Sequence, residues 1–162
     1  MNGRLRNMAS IYIINNNSIL MLYRIGSRVV PPSWCGIGGH FESNELNDAR
    51  ACVLRELEEE IHLTESDISK IELRYITLRL KNDEVRQNYY FFANIQEDVT
   101  VSLDCDEGKP EWVPLEKVNE LEMPFTSQYV LQHYIETGRY TNNLYGGIAS
   151  KKDVQFEELN EF

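Results

Sequence analysis

The densest chemistry in the chain lies in Arg55-Glu56-Leu57-Glu58-Glu59-Glu60, where four of the last five residues are acids. On a helix, side chains three and four positions apart are neighbours, so Glu56, Glu59 and Glu60 share a face while Leu57 and Ile61 point toward a core. Like charges at that spacing oppose helix formation by about 0.2–0.5 kcal/mol per pair, which makes a compensating cation worth seeking. All-oxygen carboxylate sites suit hard ions, and Mg²⁺ is commonly held by a few carboxylates together with substrate phosphates. The bland alternative is a solvated acidic face. Gly38-Gly39, a short way upstream, favours the metal, because glycine lets a backbone carbonyl approach where a Cβ would obstruct.

The elements that must position these acids are legible as runs. Residues Ile11 to Ile14 and Ile19 to Arg24 are β-prone and separated by Asn15-Asn16-Asn17, which predicts a hairpin. From Ile25 to Gly39, Pro31-Pro32 followed by Gly36, Gly38 and Gly39 predict a loop with a very short strand around Trp34 to Ile37. Leu46, Ala49, Val53, Leu57 and Ile61 then recur at helical spacing. Ile71 to Leu80 and Val85 to Ile95 form a second predicted antiparallel pair around Lys81-Asn82-Asp83. A strand at Glu111 to Val113, a short helix, and a helix carrying Tyr129, Val130, His133 and Tyr134 follow, the last ending by Gly138. The tail from Gly146-Gly147 to Phe162 reads as a weak strand.

With 162 residues, 42% of them hydrophobic, the chain suits one globular domain, 1–162. Sixteen Lys and Arg against 26 Asp and Glu leave a charge of −10, which disfavours nucleic acid polymers. A phosphorylated small molecule remains suitable if divalent cations stand between its phosphates and the carboxylates. The excess is concentrated: residues 42–60 and 104–122 each hold seven acids and two bases. No apolar run reaches the roughly 20 residues needed to span a bilayer and no signal-type segment opens the chain, so the expectation is a cytoplasmic protein that avoids membranes. Cys35, Cys52 and Cys105 lack disulfide or zinc spacing and are expected to be inert thiols.

The segment from Gly39 to Leu63 resembles the box of the Nudix hydrolases: Gly, five residues, Glu, seven residues, then Arg-Glu-apolar-x-Glu-Glu-x-Gly-apolar. Gly39, Glu45, Arg55, Glu56, Leu57, Glu59, Glu60 and Leu63 match in order. Two departures stand out. Nine residues separate Glu45 from Arg55, so counting forward selects Glu45 and counting back from Arg55 selects Asn47; and His62 replaces the glycine that ends the helix, a place where His is tolerated at positive φ. The resemblance covers about residues 8–137, leaves the tail 138–162 aside, and implies an α/β fold, an α/β/α sandwich around a mixed β-sheet.

It further implies a hydrolase that cleaves a nucleoside diphosphate linked to a group X. Glu56, Glu59 and Glu60 would bind Mg²⁺ or Mn²⁺, with the Gly39 carbonyl as an added ligand and Glu107 as a further one, unless Glu107 is an ordinary turn acid. Arg55 would orient a neighbouring glutamate, Glu59 being four residues on. The general base remains open among Glu45, Glu56, Glu60 and Glu107. Arg24, with Arg28 as a weaker candidate, would meet substrate phosphates or else be a surface arginine, and Phe125 would stack on a base or belong to the core. The expected substrate is a free nucleoside triphosphate, 8-oxo-dGTP among the options, cleaved to monophosphate and pyrophosphate in the manner of MutT-like members. ADP-ribose or another sugar nucleotide is the second reading, and a non-catalytic nucleotide sensor the third. A homodimer is left open.

Overall fold

The computed structural model describes residues 1–25, 31–102, 105 and 107–162. Among them nine strands form one sheet, with the path β3 (Ser33–Cys35), β2 (Ser18–Arg24), β1 (Arg4–Asn15), β6 (Glu84–Ile95), β5 (Ile68–Lys81), β8 (Leu144–Ala149) and β9 (Val154–Leu159). Off this path, β4 (Ile37–His40) pairs with β1, and β7 (Lys109–Pro114) with β2. The sheet is mixed: β1 runs parallel to β6 and β5 parallel to β8, while the remaining pairs are antiparallel.

Alternation along β1 and β6 builds the layers. Ala9, Ile11, Ile13, Phe91 and Ala93 turn to one face, where they bury Cys52, Val53, Leu57 and Ile61 of α1 (Ala49–Ile61). Tyr12, Tyr90 and Phe92 turn to the other, against Val130, Leu131 and Tyr134 of α2 (Phe125–Glu136). The first core is mainly aliphatic. The second is aromatic, with the Phe92 and Tyr134 rings stacked 3.8 Å apart. This is the expected α/β/α sandwich.

Several expectations are refined. The first strand starts at Arg4, well before Ile11, because its early residues pair with β6. The predicted loop contains two strands, β3 and β4, and β4 lies against β1 because Gly38 offers no Cβ to collide with the Ala9 carbonyl. Leu46 is outside α1 and 58% exposed, since Asp48 caps the helix by accepting from the Ala51 N–H at 3.0 Å. The short helix before α2 is a 3₁₀ turn, Leu115–Glu120, and the tail makes a hairpin of β8 and β9. Asn82 and Asp83, both at positive φ, make the two-residue turn between β5 and β6. His62 adopts left-handed φ 59° at the end of α1, as the missing glycine requires.

Candidate active site

The acidic helix meets the glycine strand through a side chain. A Cβ on Gly39 would fall on the Glu56 carboxylate, so glycine leaves that carboxylate room beside β4, and a larger residue would force it to turn away. Arg55 organises the cluster: Nε and Nη2 reach the two Glu45 oxygens at 2.7 and 3.1 Å, Nη1 reaches Glu56 at 2.8 Å and Glu59 at 3.0 Å, and Nη2 donates to the His40 carbonyl at 3.1 Å. Glu45 is buried, and it also accepts the Glu42 N–H at 2.9 Å. The bidentate hydrogen bond to Arg55 is the main reason its carboxyl lies below the usual carboxylate range.

A second arginine serves the remaining acids. Arg24 Nη2 donates to Glu60 at 2.5 Å and to the Gly38 carbonyl at 3.1 Å, and lies 3.3 Å from Glu107. Glu60 is buried, and its Oε2 has no hydrogen-bond partner. Burial pushes its carboxyl up to about 7, opposed by Arg24 and reinforced by Glu107 and Glu56. Among the described residues no three His, Cys, Asp or Glu side chains stand ready to grip an ion, because the two arginines occupy carboxylate oxygens that an ion would use. The donor set nevertheless fits a hard divalent cation: it is all oxygen, it includes the orphaned Glu60 Oε2, and the Gly39 backbone lies against Glu56.

Beside the acids a cavity of about 360 Å³ opens between the sheet and the start of α2. Arg24 and Gly38 line its acidic end, Arg6, Arg79 and Arg86 its other end, and no Asp or Glu is among the described lining residues.

The family model described as NUDIX domain matches residues 4–134. The chain belongs to the Nudix family. Its fold is shared by the MutT protein of Bacillus halodurans, 19% identical, with 94% of this chain and 97% of that one covered at a TM-score of 0.65. It is shared too by a C. elegans Ap4A hydrolase in a binary complex, 16% identical over 85% and 99% of the two chains at a TM-score of 0.64. The NUDIX domain of Shewanella oneidensis NrtR, complexed with ADP ribose, is 15% identical over 87% and 90% at 0.63.

Of the residues the Nudix box singles out, Gly39, Glu45, Arg55, Glu56, Glu59 and Glu60 form one cluster, which Arg24 and Glu107 join from the cavity side. The loop between Glu45 and α1 absorbs the two extra residues, in a turn closed by the Asp48 N–H on the Glu45 carbonyl at 2.8 Å. Glu45, not Asn47, is the residue that Arg55 holds. Phe125 is not part of either core; its ring carries the Arg79 guanidinium at 5.2 Å, and it does not line the cavity, which Pro124, Thr126 and Ser127 border instead. Arg28 lies outside the described residues. Sequence reasoning did not single out the cavity-lining Arg6, Arg79 and Arg86; Arg4 with Arg6 and Arg79 with Lys81 are cations at alternating strand positions, but Arg86 has Glu84 and Asn88 at that spacing and no such signal. Cys35, Cys52 and Cys105 are free thiols, and burial pushes Cys35 up to about 11 and Cys52 up to about 12. No helix among the described residues is long and apolar enough to cross a membrane.

Proposed function

We propose that this Nudix hydrolase is a Mg²⁺-dependent enzyme (Mn²⁺ serving as well) that cleaves a nucleoside diphosphate linked to X, with Glu56, Glu59, Glu60, the Gly39 carbonyl and Glu107 as the metal-binding groups. The observation that carries this reading is the convergence of α1 and β4, in which Gly39 touches Glu56 and one arginine spans three carboxylates. When bound, the cation would neutralise the diphosphate and make a water more acidic. The chain's own residues supply the rest. Glu45 fixes the Arg55 guanidinium, and Arg55 in turn aims Glu56 and Glu59, so Glu45 acts as a positioning residue and leaves the general base among Glu56, Glu60 and Glu107. Arg24, at the junction of acids and cavity, is suited to receive substrate phosphate in place of Glu60.

A nucleoside triphosphate, released as monophosphate and pyrophosphate, is the first substrate reading. The 8-oxo-dGTP form of it has less support, since no described carboxylate lines the cavity to pair with an oxidised purine. Sugar nucleotides such as ADP-ribose are the second reading, favoured by arginines lying well beyond the acidic end. The full set of glutamates speaks against a pure sensor. Incubation of the purified protein with a nucleotide panel and Mg²⁺ tests this. Pyrophosphate release supports the first reading, AMP plus ribose phosphate the second, and binding without turnover would overturn both.

A further inference from the structure

Register places three guanidinium groups in one line. Arg6 of β1 is paired with Arg86 of β6, and Arg86 with Arg79 of β5, so the three occupy one cross-strand row on the cavity side of the sheet. The next rows inward are Met8, Asn88 and Thr77, then Ser10, Tyr90 and Tyr75. Like charges directly opposite each other on adjacent strands are destabilising. Glu84 gives partial relief, 3.1 Å from Arg86 and 4.0 Å from Arg6, but it also serves Arg4 at 3.4 Å. Arg6 Nε and Asn88 Oδ1 are buried and have no hydrogen-bond partner, in a chain whose overall charge is −10. A concave row of cations that the protein leaves underneutralised suits a dianion, and guanidinium forks suit phosphate.

The row is separate from the acidic end. Ala9 pairs with Gly39, whose carbonyl is the proposed ligand, and Arg6 precedes Ala9 by three residues, which places the row about 10 Å along β1 from Gly39, with Arg6 Nη2 also 2.7 Å from His40 Nε2. A diphosphate seated at the glutamates does not reach that far by itself; a sugar or nucleoside spacer is needed. We propose that Arg6, Arg86 and Arg79 form a subsite for a second phosphate group of the substrate, one outside the anhydride that is cleaved. This rests on the hydrolase reading of the glutamate end. The same chemistry serves a phosphate on the ribose of the nucleoside or a phosphate at the far end of X.

Calorimetry with ligands that contain no anhydride separates the sources and is independent of turnover. In the ribose arm, AMP is compared with adenosine 2′,5′- and 3′,5′-bisphosphate; in the X arm, ribose 5-phosphate is compared with ribose 1,5-bisphosphate. The subsite requires at least one bisphosphate to bind about tenfold or more tighter than its monophosphate, with that ratio falling to within about twofold in Arg86→Gln. Arg79→Gln is the second variant, used if Arg86→Gln lacks the wild-type circular dichroism spectrum. Ratios near one in both arms, or ratios unchanged in a folded variant, overturn the subsite. A chain that hydrolyses the nucleotide panel yet shows ratios near one keeps the hydrolase reading and loses the subsite; ratios intact without hydrolysis keep the subsite as a binding site and overturn the hydrolase reading.

Discussion

Arg55 and Arg86 are the same side chain at opposite ends of one candidate site, in opposite surroundings. Arg55 donates hydrogen bonds to three carboxylates and a carbonyl, each of those carboxylates matching a position of the box, and Glu42 lies a further 4.0 Å away. Arg86 has one carboxylate, shared with two other arginines, and stands between Arg6 and Arg79. The first is an internally satisfied scaffold; the second is charge held in reserve. An acidic protein that handles anions needs both: an arginine that arranges acids for a cation, and arginines that acids do not reach.

The largest effect that would break this contrast is expected at the acidic end. Glu59→Gln removes a carboxylate of the proposed metal set whose side chain is 59% exposed, so the fold should survive while kcat falls by about two orders of magnitude or more. Near-normal turnover in steady-state assays would remove Glu59 from the metal set.

A smaller effect is expected behind it. Glu45→Gln weakens the bidentate bond to Arg55, which keeps Glu56, Glu59 and the His40 carbonyl, and should cost about 2 kcal/mol in denaturant unfolding, as loss of a charge-assisted hydrogen bond does. The pH dependence carries the sign. Glu45 is held below its ordinary value of about 4.5, so its contribution is complete above that pH and is lost as the pH falls through the folded value. The variant should therefore lose less stability than the parent on acidification below about pH 4.5, and parallel acid limbs would contradict the role of the Arg55 pair. The smallest effect is expected at Arg4→Gln: this ion pair is solvent-facing, with the arginine side chain 66% exposed, and unfolding should shift by less than about 1 kcal/mol.

What the sequence could tell follows from how local each feature is. The helix and its glutamates were readable because Glu56, Glu59 and Glu60 become neighbours within two turns, and His62 was readable as a helix end because left-handed φ is a local demand. Glu45 against Asn47 was not decidable by counting, since a turn before α1 takes up extra residues, and it is burial together with the Arg55 contact, neither local in sequence, that sets Glu45 apart. Leu46 kept the helical spacing but fell before the Asp48 cap. The strands at the glycine loop depended on Gly38 meeting Ala9, a contact between segments 29 residues apart in number. The arginine row was beyond reach for the same reason: Arg6 and Arg86 become neighbours only when β1 pairs with β6.

The tight turn at Asn82 and Asp83 has a reach that its size conceals. It fixes Lys81 opposite Glu84, and therefore Arg79 opposite Arg86, by counting outward in steps of one residue. Side chains alternate between faces, so one residue added to that turn would send the far partner of the row to the other side of the sheet. Two residues that do not line the cavity thus act as the ruler for its charge, and with the proposed subsite a surface loop would set part of the substrate preference.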